Sequence, residues 1–272
     1  MHTPPIIALQ LYSVRDAGDF PARLALAQAC GYRYVETEVT YGLDAEAFSI
    51  QLQEHGIKLA SMHVEMQDLR LRMPLLLDAL KRCGCTNLVM PWLEEDERPQ
   101  DLAGWLALSR ELNQFAQSLA QQGVQLAYHN HAFEFERLNN GQTILGFIFE
   151  HAPQLKWQAD VAWIYRAGED GQTWLDHYRE RLCSVHVKDL AVTGTNPTEN
   201  DWANLGEGRI AWPEILRSLQ NNLQNKVHCY IVEHDQPSNP KNMAQVGYAY
   251  LQKNLAGESA LVTPATQHSI SC

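Results

Sequence analysis

The sequence contains no long hydrophobic run and no cluster of basic residues. No apolar stretch approaches the roughly 18 residues of a membrane helix, and the start, Met1 to Pro5, lacks the basic and apolar regions of a secretion signal. Lysine and arginine number 21 against 32 acidic residues, a net charge of −11, so the clustered positive charge that binds nucleic acid is missing. We therefore expect a soluble, cytoplasmic protein whose partner is neither a membrane nor a nucleic acid.

Two further absences exclude a disulfide scaffold and the common nucleotide-binding motifs. Six cysteines in 272 residues are too few for a disulfide framework. The first predicted strand-to-helix turn, between Tyr12 and Asp19, contains no Gly-x-Gly-x-x-Gly, and the chain contains no Gly-x-x-x-x-Gly-Lys. The sequence therefore offers neither a dinucleotide site at that turn nor a P-loop.

What the sequence does contain is a regular alternation of apolar strands and helices, many of which end in glycine. Strands are predicted over 6–14, 32–39, 58–64, 86–93, the start of 124–136, 155–163, 182–188 and 227–234. Helices are predicted within 19–31, 44–55, 73–83, 99–122, 142–151, 171–181, 211–222 and 240–254. Apolar strands alternating with helices indicate a parallel sheet covered on both faces.

Eight such units predict a single (β/α)₈ TIM barrel, a fold that commonly takes about 250 residues. An open doubly wound sheet is the alternative fold. We assign residues 1–256 to the barrel and expect 257–272, which show no helical period, to form a loose tail.

Ionisable residues gather at the carboxyl ends of the predicted strands, where the working residues of such barrels lie. The apolar run that begins at Val124 ends directly in His129, His131 and Glu134. A barrel with a purely structural role has no reason to place carboxylates and imidazoles at nearly every strand end. The sequence therefore predicts a functional site at this rim.

Four of these residues form a candidate set of metal ligands, namely Glu134, Asp160, His186 and Glu233. The spacing is 26 residues from Glu134 to Asp160 and 26 again to His186, one strand-plus-helix repeat each time, which places the residues at the same level. Three carboxylates and one imidazole suit a divalent ion such as manganese, magnesium or cobalt. Taken singly, Asp160 could instead cap a helix, His186 could be a hydrogen-bonded core histidine, and Glu233 could be an ion-pair partner.

Four segments and the strand that ends in Glu233 carry a resemblance to a known family, namely 9–16, 128–135, 184–189 and 205–216. They resemble the xylose-isomerase-like barrel superfamily of sugar phosphate isomerases and epimerases. That superfamily includes inosose dehydratases and ketose 3-epimerases and is similar in fold to the endonuclease IV class. The resemblance implies a Glu-Asp-His-Glu metal set.

At the strand-five position this chain departs from the pattern implied by the resemblance. In the epimerases a glutamate ends that strand directly, whereas here His129 stands at that place and Glu134 follows five residues later. Glu134 is taken as the ligand because a carboxylate suits a hard ion, with His131 as the alternative.

The implied reaction is proton transfer next to a carbonyl. A divalent ion that chelates two sugar oxygens acidifies the neighbouring C–H and stabilises the enediolate, while one carboxylate removes the proton and a second acid returns it. We expect Glu134 and Glu233 to be these catalytic groups. The expected cofactor is one divalent ion, manganese first and magnesium, cobalt or zinc as alternatives, and the expected partner is a keto-sugar or cyclitol.

Further residues are expected to bind the substrate, namely Glu36, His63, His129, His131, Trp163, Lys188 and Arg209. The loop 191–209 is long enough to form a lid. A lyase or dehydratase, which expels an oxygen β to the carbonyl, fits the same residues, and a non-catalytic sugar-binding barrel is the third hypothesis. Aromatic residues near the rim also make a homodimer an open alternative.

Overall fold

The computed structural model describes residues 4–221, 227 and 229–255. A closed barrel of parallel strands forms its centre, with each strand paired to its neighbours in chain order and the last paired to the first. The barrel strands are β1 (Ile6–Gln10), β2 (Tyr34–Glu38), β3 (Lys58–His63), β4 (Asn87–Met90), β5 (Gln125–His129), β6 (Lys156–Asp160), β7 (Leu182–Val187) and β10 (Cys229–Val232). The predicted (β/α)₈ barrel is confirmed. The predicted tail, 257–272, lies outside the described residues.

Helices surround this barrel. They are α1 (Phe20–Ala29), α2 (Ala45–Glu54), α3 (Met66–Leu71), α4 (Met73–Cys83), α5 (Leu102–Ala120), α6 (Ile144–His151), α7 (Val161–Arg166), α8 (Gly171–His177), α9 (Trp212–Asn221) and α10 (Pro240–Leu255). Several begin at a side chain that accepts a backbone N–H of the first turn, including Asp19, Asp44, Asp101 and Thr143. Such caps satisfy amide groups that have no partner within the helix. None of the helices in the described part of the chain is long and apolar enough to cross a membrane.

The strands are shorter than the sequence predicts, because apolar residues continue past their ends. The first strand ends at Gln10 and a 3-10 helix, Leu11–Ala17, follows it. The sixth predicted strand, 155–163, ends at Asp160, where the side chain caps α7 by accepting the amide of Trp163 at 2.9 Å. The predicted loop 191–209 also contains structure, because its β9 (Trp202–Ala203) pairs as an antiparallel ribbon with β8 (Asp189–Leu190), which directly precedes the loop.

The interior of the barrel changes from apolar to polar within one pleat of its strands. Ala8, Ala60 and Ile231 pack together as a small buried cluster near the barrel floor. Two residues further along β1 stands Gln10, and two residues beyond Ile231 stands Glu233. Because residues two apart on a strand share a face, the same strands that close the floor direct polar side chains inward at the carboxyl end.

Candidate metal centre

Four buried side chains meet at the carboxyl end of the barrel. His129 comes from β5, Asp160 from β6, His186 from β7, and Glu233 directly follows β10. One ligand atom from each lies within 4.8 Å of the others. The structure therefore gathers two imidazoles and two carboxylates, three of which belong to the set predicted from the sequence.

The hydrogen bonds of Gln158 fix the tautomer of His129. The side-chain Nε2 of Gln158 donates to Glu36 Oε2 at 2.6 Å. The Gln158 Oε1 therefore accepts the hydrogen bond from His129 Nδ1 at 3.0 Å. The remaining ring nitrogen, Nε2, lies 3.8 Å from Asp160 Oδ2. Burial lowers the pKa of His129 well below its ordinary value. His129 is therefore a neutral imidazole with a lone pair directed at the cluster.

His186 stands between two carboxylates. Its Nδ1 lies 2.9 Å from Glu233 Oε2 and its Nε2 lies 2.6 Å from Glu36 Oε1. Although burial opposes the charged ring, Glu233 and Glu36 raise the pKa of His186 to about 10. Glu36 thus holds one nitrogen of the ring while the other faces the cluster, which is the arrangement by which an outer carboxylate orients a metal-binding histidine.

Lys188 supplies a buried positive charge at the same place. Its ammonium lies 2.9 Å from Glu233 Oε2, 3.0 Å from Asp160 Oδ2 and 2.7 Å from Asp235 Oδ1. Burial opposes this charge, but the three carboxylates raise the pKa of Lys188 far above its usual range. The carboxylates respond differently: burial raises the pKa of Asp160 to about 6, whereas Lys188 and His186 outweigh burial and hold that of Glu233 well below its ordinary value.

Glu134 is fully buried but lies outside this cluster. One carboxylate oxygen accepts the amide of His131 at 2.7 Å and the other accepts the hydroxyl of Tyr128 at 3.0 Å. Burial raises the pKa of Glu134 to about 8. After His129 the chain leaves β5 and enters a 3-10 helix, Phe133–Phe135. The residue that β5 contributes to the cluster is therefore His129, and not Glu134 or His131.

Glu36 and His63 lie in the same polar layer. His63 Nε2 is 2.8 Å from Glu36 Oε1 and 2.9 Å from Gln158 Oε1. A second group of possible ligand atoms joins His63 to His129 and His186. Gln158 was missed from the sequence, although its position two residues before Asp160 on one strand already places both side chains on the same face.

Aromatic rings line the mouth above the cluster. The ring of His131 lies 4.6 Å from Trp92 and 5.1 Å from Trp163, measured between centroids. The buried atoms His131 Nδ1 and Trp163 Nε1 have no hydrogen-bond partner among the described residues. Such groups are positioned to bind polar atoms of a ligand. Arg209, in contrast, is exposed, and its amide donates to the Leu190 carbonyl.

The ribbon of the loop 191–209 closes over Lys188. Trp202 is 1% exposed; its ring lies 4.6 Å from the Lys188 ammonium and 4.8 Å from the Trp163 ring. The guanidinium of Arg166 covers the Trp202 ring at 3.7 Å. Trp202 was not singled out from the sequence, and only its place within the predicted lid pointed to it.

Solved structures with the same architecture support the fold. A sugar phosphate isomerase/epimerase from Parabacteroides distasonis is 18% identical, with a TM-score of 0.73 over 94% of this chain and 96% of that chain. The IOLI protein, solved with a bound zinc atom, is 13% identical, with a TM-score of 0.69 over 92% and 98%. A probable 3-DHS dehydratase from Bacillus anthracis is 13% identical, with a TM-score of 0.67 over 91% and 98%.

Sequence comparison identifies the family directly. No curated protein sequence matches the chain. The family model described as xylose isomerase-like TIM barrel matches residues 24–254, which include all four residues of the cluster and seven of the eight barrel strands. The chain therefore belongs to the xylose isomerase-like TIM-barrel family.

Proposed function

We propose that this protein is a divalent-metal-dependent isomerase or epimerase that acts on a keto-sugar or cyclitol. The observation that carries the proposal is the meeting of His129, Asp160, His186 and Glu233 at the carboxyl end of the barrel. Most of the similar structures are described as enzymes, among them a sugar phosphate isomerase/epimerase, and this supports a role in sugar chemistry.

The residues present fit a divalent ion. His129 presents a neutral nitrogen. The buried Asp160 Oδ2 has no hydrogen-bond partner among the described residues, and its contact with the Lys188 ammonium at 3.0 Å is an ion pair. Mixed imidazole and carboxylate ligands suit manganese, cobalt or zinc; we favour manganese, and the zinc in the IOLI structure supports a divalent ion. When bound, the ion would polarise the substrate carbonyl and stabilise the negative charge of an enediolate.

The chain's own groups supply the proton transfer. Glu233 is ionised at neutral pH, because Lys188 and His186 outweigh the effect of burial on its pKa, so its carboxylate is able to accept a carbon-bound proton. The Lys188 ammonium, 2.9 Å from that carboxylate, would stabilise negative charge that develops on a substrate oxygen. His131 Nδ1 and Trp163 Nε1 would bind hydroxyl groups, and the rings of Trp163 and Trp202 offer apolar faces to the carbon skeleton.

A dehydratase is the second candidate. If the enediolate expels an oxygen β to the carbonyl instead of regaining a proton, the same residues perform an elimination. The similarity to a probable 3-DHS dehydratase supports this alternative. The two reactions share the first proton transfer and differ only in the product.

Proton exchange in deuterated water tests the proposal. Purified protein, loaded with Mn²⁺, is incubated with D-fructose, D-psicose, D-tagatose and 2-keto-myo-inositol, and NMR follows deuterium incorporation and product formation. We expect exchange next to the carbonyl of at least one probe, with an epimer or isomer as the product; an unsaturated product would identify the dehydratase. Protein that retains the metal and exchanges no proton of any probe would favour the non-catalytic binding barrel.

A further inference from the structure

We propose that Glu38 is the second proton-transferring carboxyl of this site, a role for which Glu134 is poorly placed. The inference rests on the proposed function, because it concerns the same reaction. It assigns the group that returns a proton to carbon or protonates a leaving oxygen after Glu233 has removed the first proton.

The register of β2 directs Glu38 toward the mouth of the barrel. Glu36 and Glu38 are two residues apart on β2 and therefore share a face. Glu36 lies inside the barrel, where its carboxylate contacts His63 and His186. Glu38 pairs with His63 of β3 and stands one pleat nearer the open end. Its carboxyl therefore lies above the polar layer that surrounds the metal centre.

The carboxyl of Glu38 has no partner within the described protein. Glu38 is half-buried, and among the described residues its carboxyl makes no hydrogen bond and no ion pair. The charged groups that act on it are His63, Arg23, Glu233 and Arg15. A half-buried acid without a partner has room for a ligand atom, whereas both oxygens of Glu134 are occupied by Tyr128 and the His131 amide.

A strained turn holds Glu38 in this position. Val39 and Tyr41 both adopt left-handed backbone conformations, with φ of 47° and 53°. For a β-branched residue such as Val39 this conformation is rare, and backbone strain of this kind tends to cluster at functional sites. The Val39 amide donates to the His63 carbonyl at 2.9 Å, and the Glu38 amide donates to the Tyr41 hydroxyl at 3.3 Å. The turn therefore fixes the end of β2 relative to β3.

The proton balance assigns opposite starting states to the two acids. Glu233 begins as a carboxylate and takes the carbon-bound proton, while the electron pair of the broken C–H bond stays in the enediolate. The proposal requires Glu38 to begin as the acid, and burial raises its pKa in that direction. Glu38 gives its proton either to carbon, which forms the epimer, or to the departing oxygen, which leaves as water or an alcohol. A proton passes from Glu233 to Glu38 through solvent before the next turnover.

The test compares Glu38→Gln with the control Glu136→Gln, at an exposed glutamate outside the site, each in the full chain loaded with Mn²⁺. The same four keto-compounds serve as probes in deuterated water, and bound metal and melting temperature are measured alongside. For Glu38→Gln we expect wild-type metal content and continued exchange by Glu233, with product formation reduced on the order of 100-fold. Glu136→Gln should form product at a rate close to that of the wild type.

The outcomes separate this inference from the proposed function. Product formation by Glu38→Gln at the wild-type rate overturns the role of Glu38. A variant that loses proton exchange, bound metal and folded protein together also overturns it, because that pattern indicates a structural residue. If the metal-loaded wild type exchanges no proton of any probe, the proposed function fails and this inference fails with it.

Discussion

At the scale of single residues, Lys188 has the least ordinary environment in the described structure. A buried ammonium surrounded by the carboxylates of Asp160, Glu233 and Asp235 neutralises charges that would otherwise oppose folding. Removal of one partner from a buried ion pair leaves an uncompensated charge, which is costly. A divalent ion bound to Asp160 and Glu233 would supply positive charge at the same place.

We expect Lys188→Met to destabilise the metal-free protein by about 3–5 kcal/mol and to gain more stability from Mn²⁺ than the wild type does. Urea unfolding with and without the ion measures both effects. Lys156→Met, at an exposed lysine, is the control and should change little. Equal stability of Lys188→Met and wild type without metal would contradict this view of Lys188.

Glu134 gives a prediction that depends on pH. Burial raises its pKa from an ordinary 4.5 to about 8. The folded protein therefore binds more protons than the unfolded chain between these values, so the contribution of Glu134 to stability falls as pH rises from about 4.5 to about 8. Glu134→Gln cannot ionise, and its stability relative to the wild type should increase across this range.

Urea unfolding of metal-free protein between pH 5 and pH 8 measures this difference in stability. Glu136→Gln, at an exposed neighbour, is the control and should follow the wild type. A pH-independent difference between Glu134→Gln and the wild type would show that Glu134 has no raised pKa.

The sequence predicted Asp160, His186 and Glu233 because each lies within one residue of the end of a strand, where the fold alone decides the position of the side chain. It also put Glu134 in the ligand set, whereas the structure places that carboxyl outside the cluster. Between His129 and Glu134 the chain leaves the strand for an irregular turn and a short 3-10 helix, and no periodicity indicates where such a segment directs a side chain. The contacts of Gln158 and Lys188 join residues that are far apart in the sequence, and the sequence does not reveal them.

At the scale of elements, the loop 191–209 is attached to its surroundings at several points. Glu199 accepts the amide of Ser238 at 2.6 Å and the side-chain amide of Asn196 at 2.9 Å. Arg166 stacks on Trp202 at 3.7 Å and donates to the Asn200 carbonyl. Because Trp202 covers Lys188, access to the cluster from this side requires the loop to move.

We expect Glu199→Ala to loosen this loop without changing the barrel. Amide hydrogen exchange across residues 191–209 should accelerate, and Mn²⁺ should bind and dissociate faster at an unchanged equilibrium occupancy. Glu207→Ala is the matched control, because Glu207 is exposed in the same loop and, within the described part of the chain, its carboxylate bonds only to nearby Asn204 at 2.8 Å. Unchanged exchange in Glu199→Ala would show that the contact with Ser238 does not hold the loop.

Elements were easier to predict than their ends. The helices α2 and α4 lie within a residue of the predicted ranges, because polar caps or glycines mark their boundaries. The ribbon of β8 and β9 was missed because each strand has two residues, too few to show an alternating pattern. The ribbon gives the predicted lid a defined structure over Lys188.

At the scale of the whole molecule, the closed barrel explains how residues 129, 160, 186 and 233 come together. Parallel strands of similar length place their carboxyl ends at one level. A small apolar cluster that includes Ala8 and Ile231 lies below the polar layer at these carboxyl ends. The proposed function therefore requires these strand ends to form one metal centre.

Elemental analysis of the purified protein by plasma mass spectrometry tests that claim most directly, with Glu233→Ala and Glu134→Ala measured beside the wild type. After incubation with Mn²⁺ and dialysis, we expect about one equivalent of metal in the wild type and in Glu134→Ala, and none in a folded Glu233→Ala. A wild type that stays empty, or a Glu233→Ala variant that retains the full equivalent, would contradict the account.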